Sequence, residues 1–536
     1  MSMSRLSIAI APLAGALAIV TSAGAAAAQD HQHHAPGAQV GTVAFATSCD
    51  AAVQQRFEQA VAMLHSFWFD AAEEAFTAVA EADPSCGMAQ WGLAMTRWGN
   101  PFTWQLPPQP NLEAGATAAR RAVELTADAT EREQHFARAA LALYDHPAGT
   151  DANARLRAHA AAMRTVGARF GDADPEATIF LARSIVATAP ASDMEYRHQL
   201  EAAALLEPLF AEQPDHPGLA HYLIHAFDAP PIAERGLAAA RAYADIAPSA
   251  PHALHMPSHI FTRLGLWDES IEINRRSAAA EPVPDAAVHP FDYMVYAFLQ
   301  QGRNREAREI VDKAVQLEDR YYGGVLGYNF AAMPARFALE RDAWAEAARL
   351  ELPTGGAPFV AAVTRFARGI GAARSGDAAA ARAEAAALAS LRDELQQQGD
   401  PYWPVVVDAQ HLAASAWAEY ADGRTDEALR LAARAAEVEE TVEKHPVTPG
   451  PLLPARELYA DMLLDAGRYA DAKQQYEKTL EHEPRRARST FGAARASEQS
   501  GDDIAARAHY RTLLEIMERA DAGRPEVARA RAVVGG

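Results

Sequence analysis

The sequence predicts an all-α protein built from stacked helix pairs, and three observations carry that expectation. After about residue 50 alanine is abundant and runs of alternating β-branched residues are absent, which favours helix over strand. Glycine and proline sit at intervals that break the chain into helix-sized pieces. Near the C-terminus Gly467, Ala472, Tyr476 and Leu480 recur 34 residues later as Gly501, Ala506, Tyr510 and Leu514, a fixed period of the kind that marks repeat architectures.

The first element is Met1 to Ala28. A short positive start ends at Arg5, Leu6 to Val20 is apolar apart from Ser7, and a small-residue stretch closes on Ala26-Ala27-Ala28. This reads as a secretory signal peptide over 1–28, and it places the protein in the periplasm or outside the cell. No other stretch approaches the ~18 apolar residues of a membrane span. Residues 29–48 read as a flexible tail containing histidine. Gln29-Asp30-His31 would put an imidazole third from the processed end, where an amine, two amides and that ring can hold Cu(II) or Ni(II). Cys49 and Cys86 are the only cysteines. In an oxidising compartment they pair as a structural disulfide if geometry permits, the other reading being a redox or metal-binding thiol pair.

Two repeat arrays follow, over 49–345 and 346–536. Besides the C-terminal pair, looser copies occur at Phe69, Ala72, Phe76 and Pro84, and at Gly265, Trp267, Ser270 and Pro282. Gly302 with Ala307, Gly376 with Ala381, and Gly423 with Ala428 add three more. These residues and this period resemble the tetratricopeptide repeat (TPR) family of helix–turn–helix units. The resemblance implies a right-handed superhelical solenoid in which neighbouring units bury their apolar stripes jointly. It also implies a concave groove, lined by first helices, that takes a ligand or partner. The pattern breaks at 100–112 and blurs over 120–200 and 318–362.

Composition narrows the function. A net charge of −21 disfavours general nucleic-acid binding, which needs a basic face. With 22% charged and 49% hydrophobic residues the chain is globular rather than disordered. No Gly-rich phosphate loop, Gly-x-Ser-x-Gly elbow or His-Glu-x-x-His is present, so nucleotide chemistry and the familiar serine hydrolase and zincin sites are disfavoured.

Histidine carries the strongest chemical signal, since seven of 19 fall between His216 and His289. His221 and His225 are four apart and share a helix face, while Leu223, Ile224 and Phe227 mark a different, packing face. His255 and His259 repeat that pair 34 residues later, and His252 extends the stripe. Counting back from Gly265 and Gly302 equates His252 with His289, His255 with Asp292, and His259 with Tyr296. Side chains from adjacent helices, ~8–10 Å apart, can meet at one ion. The expected ligands are therefore His221, His225, His252, His255, His259 and His289, holding Zn, Cu or Fe. Asp292 would act as ligand or base and Tyr296 as proton donor. Pro257, inside His255-Met-Pro-Ser-His259, either starts a helix or kinks one.

Weaker candidates are His65, in an aromatic cluster with Phe67, Trp68 and Phe69, and Glu457 with Asp461, which occupy the His255 and His259 positions of their own repeat. All three are ligand-binding candidates. Pro446 to Pro454 reads as a stiff connector, and Tyr321, Tyr322, Arg336 and Arg365 as further possible substrate contacts. Together these features point to an exported solenoid whose groove binds a small molecule or peptide together with a transition metal. A metal-free scaffold for a protein partner is the second reading, and a metal-dependent hydrolase or oxidase the third.

Overall fold

Helices stack pairwise along the chain because each repeat turns on a glycine that no other residue replaces cheaply. Gly265, Gly302, Gly376, Gly423, Gly467 and Gly501 all adopt positive φ, between 66° and 87°. Each lies between the two helices of a pair, as a left-handed C-terminal residue does. A computed structural model describes residues 37–281, 283–317 and 324–535. Among these every regular element is an α-helix or a short 3₁₀ turn. The fold is an all-α TPR-like solenoid. The expected signal peptide, the His31 end of the tail, Pro282, Tyr321 and Tyr322 lie outside the described residues.

Packing between pairs uses an aromatic ring against a glycine. Tyr476, on the helix Tyr469–His482, lies against Gly492 of the next helix, and Phe76 lies against Gly92 in the same way. In both cases a methyl group would collide with the ring, so the small residue sets how closely two helices approach. An apolar cluster runs from Tyr328 through Ala347 and Phe359 to Ala496. The division at 345/346 thus falls inside one shared core.

Residues 37–48 are not a loose tail. Val40, Val43 and Phe45 are buried, and the Phe45 ring sits among Phe57, Trp91, Phe136 and Phe180. The backbone is held as well, Thr42 N donating to Asp215 O at 3.0 Å. Cys49 and Cys86 form a disulfide with their Cα atoms 4.8 Å apart, which ties this arm to the start of the helix Gly87–Trp98.

The inner surface of the solenoid is closed rather than open. The segment Glu443–Leu453 folds back across it. Glu443 N donates to Ala191 O at 2.8 Å, Lys444 Nζ reaches Asp228 at 3.0 Å, and Asn329 Nδ2 donates to Val447 O at 2.9 Å. Arg336 donates to Pro451 O and Gly450 O. The proline-rich connector is a strap laid over the middle of the chain. Every residue of the helix Pro217–Phe227 is buried, histidines included, with the Phe67 ring against His221 and the Phe102 ring against His225. The expected division into an apolar packing face and a separate histidine face does not hold for this helix, because both faces are buried. No helix among the described residues is long and apolar enough to cross a membrane.

Candidate metal centre

Three short helices position five of the six histidines, and the longer helix Val288–Gln300 carries His289. Pro217–Phe227 carries His221 and His225; Pro251–His255 and Pro257–Arg263 carry the rest of the doubled motif. Proline stands at or next to the first helical position in each, where its missing N–H costs nothing. Pro257 does not turn His255 away. Met256 keeps helical dihedrals, φ −53° and ψ −37°, so the chain continues through a kink and His255 stays on the face of His259.

The rings gather into two sets. In the first, His221 Nε2 lies 3.2 Å from His225 Nε2 and 3.2 Å from His252 Nε2. In the second, His255 Nε2 lies 3.1 Å from His259 Nε2, and the His289 ring centroid is 4.3 Å from that of His255. Within each set of three, one ring nitrogen per residue lies within 4.8 Å of the others. The sets adjoin, with ring centroids of His225 and His259 6.1 Å apart and those of His252 and His255 6.2 Å apart.

The opposite ring nitrogens decide which atoms carry lone pairs. His221 Nδ1 donates to the backbone oxygen of His65 at 2.6 Å. His255 Nδ1 donates to Asn274 Oδ1 at 2.6 Å, and the Asn274 amide is oriented because its Nδ2 donates to Ser270 O at 2.7 Å. His259 Nδ1 donates to Asp228 Oδ2 at 2.8 Å. Each of these rings is committed as an Nδ1–H donor, so its Nε2 is an unprotonated acceptor. Two such lone pairs 3.1 Å apart repel unless a cation lies between them. Two nitrogens bound at ~2.0–2.1 Å to one tetrahedral ion stand ~3.3 Å apart, close to the separations found in both sets. His289 Nδ1 is buried and has no hydrogen-bond partner.

Burial pushes the pKa of all six imidazoles below the ordinary value, His255 to about 3. Neutral imidazole is the form that binds metal. Asp228 behaves differently. Burial alone would raise its pKa, but Lys444 and Arg263 hold the carboxyl well below the usual range. Arg263 Nε donates to Asp228 Oδ1 at 2.9 Å and its other arm to Glu443 at 2.6 Å, so the strap is tied to the residue that orients His259. Aromatic rings wall the first set: Phe102 stacks on His225 at 3.9 Å, and Phe67 on His252 at 5.2 Å.

Four expected site residues lie elsewhere. Asp292 is buried against Arg336 at 3.2 Å and Asn329 at 3.2 Å. Tyr296 contacts Glu483 and Arg486. Equivalence counted from the turn glycines holds along the chain. Asp292 nevertheless meets the helix Gly324–Leu339, through Asn329 and Arg336, rather than His255. On the helix Val288–Gln300, which carries Asp292 and Tyr296, the residue that does meet the histidines is Tyr293, four after His289, with its ring 4.9 Å from His255 and 5.1 Å from His259. Glu457 pairs with Arg486 at 2.7 Å and Arg488 at 3.0 Å, and Asp461 with Arg488 at 2.8 Å. Those arginines occupy both carboxylates in a separate buried network. Arg365 pairs with Glu384.

His65 sits behind the first set and belongs to neither. Its Nε2 and His216 Nε2 both meet Glu176, at 3.0 and 2.8 Å, and its Nδ1 lies 3.0 Å from Tyr222 Oη. His65 acts through its carbonyl, which holds His221. Asp228, Asn274, Lys444, Glu176 and His216 were not singled out by spacing. His216 belongs to the same histidine-rich stretch, and Asp228 lies seven after His221, one further step along its face.

A cavity of about 210 Å³ opens beside the centre, lined by His225, His252, His255, His259 and His289. No family model and no curated protein matches the chain. Among solved structures it is similar to the human IFIT1 dimer with m7Gppp-AAAA, at 11% identity and a TM-score of 0.37, with 81% of this chain and 90% of that chain covered. It is likewise similar to the IFIT1 monomeric mutant (L457E/L464E) with Gppp-AAAA, at 11% identity and a TM-score of 0.37, covering 76% and 87%. At that distance the likeness carries no inference about what this chain binds.

Proposed function

We propose that this chain is an exported metalloprotein that holds two transition-metal ions inside a TPR-like solenoid, three imidazoles to each ion, within reach of a small molecule. His221, His225 and His252 would hold one ion; His255, His259 and His289 the other. The observation that carries this reading is the facing pair of Nε2 lone pairs on His255 and His259, 3.1 Å apart, with both Nδ1–H groups already committed.

The donor set supports copper or zinc over iron. Imidazole suits both, whereas non-haem Fe(II) sites characteristically include a carboxylate, and neither set contains one. Three protein ligands leave a four-coordinate ion one open position, the arrangement of sites that bind or activate a further molecule. A scaffold that reads a partner's tail through titrating histidines finds less support, because these rings are buried and held neutral. Nucleic acid is not among the proposed ligands, given the net charge of −21. Export is supported by the signal-like start of the sequence and by the disulfide, a bond that persists in oxidising compartments.

The test is elemental analysis of untagged protein recovered from the periplasm, before and after reconstitution with copper or zinc. The expected result is two ions per chain, with the second-set ion lost in His255→Ala and the first-set ion in His221→Ala. No stoichiometric metal under either condition overturns the reading.

A further inference from the structure

The cavity beside the centre says what kind of molecule reaches the ions. Five of the six candidate ligands line it, so anything inside lies against both sets. Its volume, about 210 Å³, exceeds the ~150 Å³ that admits benzene and falls short of the ~300–1,000 Å³ of pockets for drug-sized ligands. One ring with a substituent fits; a peptide does not.

The wall away from the histidines is mainly apolar, supplied by Phe102, Met256, Pro290, Leu326, Pro446 and Val447. Phe102, stacked on His225, is part of this wall and brings aromatic surface to the cavity. Among the described residues no lysine or arginine lines the cavity. The nearest cations, Lys444 and Arg263, are spent on Asp228 and Glu443. Among the described residues the one carboxyl in the lining is Glu281, whose pKa is pushed up to about 7 by burial and by Asp70. A phosphate or dicarboxylate held at an ion would find no cationic partner for its remaining oxygens among the described lining residues.

We infer that the cavity binds a neutral single-ring aromatic molecule bearing one hydroxyl donor, a phenol, with the hydroxyl at the ions and the ring against Phe102 and the apolar wall. This rests on the two-ion reading above.

The probe is phenol itself, titrated into protein loaded with Cu(II) or Co(II), with the metal's visible absorption as the signal. Inorganic phosphate is the comparison. Ala286→Phe and Leu326→Trp each fill the cavity from positions that carry no ligand atom. Saturable perturbation by phenol is expected. In both variants it should weaken at least tenfold while two ions per chain remain. The inference is overturned if loaded protein ignores phenol, if phosphate binds better, or if the filled variants bind phenol as the parent does. Metal analysis of the same samples separates these failures from loss of the ions, which would overturn the two-ion reading and this one together.

Discussion

His255 and His259 turn their Nε2 atoms toward each other across 3.1 Å while their Nδ1 atoms are anchored on different partners, Asn274 for the first and Asp228 for the second. A helix kinked at Pro257 brings the pair together, and two further segments fix the ring orientations. Remove an anchor and the ring can rotate or change tautomer, which is how an outer hydrogen bond acts on a metal.

Asn274 isolates that effect because it touches no ion. Asn274→Leu is expected to weaken metal binding by about 10–100-fold, read by competition with a chelator of known affinity. Asn274→Asp keeps an acceptor for His255 Nδ1 and should restore affinity to near the parent value. Equal affinity in the leucine and aspartate variants would mean that Asn274 only fills space.

The same site shows what a sequence reveals. His221, His225, His255 and His259 stand out because i, i+4 spacing recurs at the repeat period, and both facts are local. The repeat glycines are local too, since each must adopt positive φ, so the solenoid was readable. Asp292 and Tyr296 mislead because a repeat count conserves sequence position but not direction in space. Counting from His289 instead of Gly302 points to Tyr293. Asn274 lies 19 residues beyond its partner His255 and Lys444 216 beyond its partner Asp228, and no spacing rule joins them. Burial of the first histidine set comes with long-range contacts from Phe67 and Phe102, which periodicity does not encode.

Asp228 gathers His259, Arg263 and Lys444 on one buried carboxylate. Removing its charge with Asp228→Asn leaves Lys444 in the interior without its ion-pair partner and Arg263 with Glu443 alone. The expected cost is about 3–5 kcal/mol in urea unfolding. Lys444→Met in the same chain should recover part of it, since one uncompensated charge goes with the lysine. Identical stabilities for the single and double variants would show that the two groups are not coupled.

The disulfide closes a loop with a sequence separation of 37 between Cys49 and Cys86. The chain-entropy argument gives ~4 kcal/mol for a loop of that size. Cys86→Ser, or reduction of the parent, is expected to lower the urea midpoint by a corresponding amount without changing metal content, because neither sulfur is near the histidines. A midpoint unmoved by reduction would show that the unfolded chain gains nothing from losing the link.

Glu439 gives a pH dependence away from the metal centre. Burial raises its pKa to about 8, against the opposing hydrogen bond from Ala455 N. The folded state therefore binds a proton that the unfolded state, near the ordinary carboxyl value of ~4.3, releases much earlier. The stability that this group adds is fully present below the unfolded value. It is lost as pH rises from about 4.3 toward 8. Glu439→Gln should be flat over that window, so the parent-minus-variant difference in unfolding free energy should fall between pH 5 and pH 8. A difference that rises instead would reverse the assignment.

Gly218 tests how the first histidine set is held. A Cβ at this position would stand 2.6 Å from His65 Nδ1 and 2.9 Å from its Cγ, too close for the ring to remain. The His65 ring is pinned by Glu176 and Tyr222, so it cannot swing aside without breaking buried hydrogen bonds. The helix Pro217–Phe227 must shift instead, and it carries His221, whose Nδ1 depends on the His65 carbonyl. Overpacking of this kind costs about 1–3 kcal/mol. Gly218→Ala is therefore expected to lower stability by that amount and to leave one ion per chain rather than two, because Asn274 and Asp228 still orient the second set. Loss of both ions would mean that the sets are occupied only together; retention of both would mean that the His65 carbonyl does not position His221.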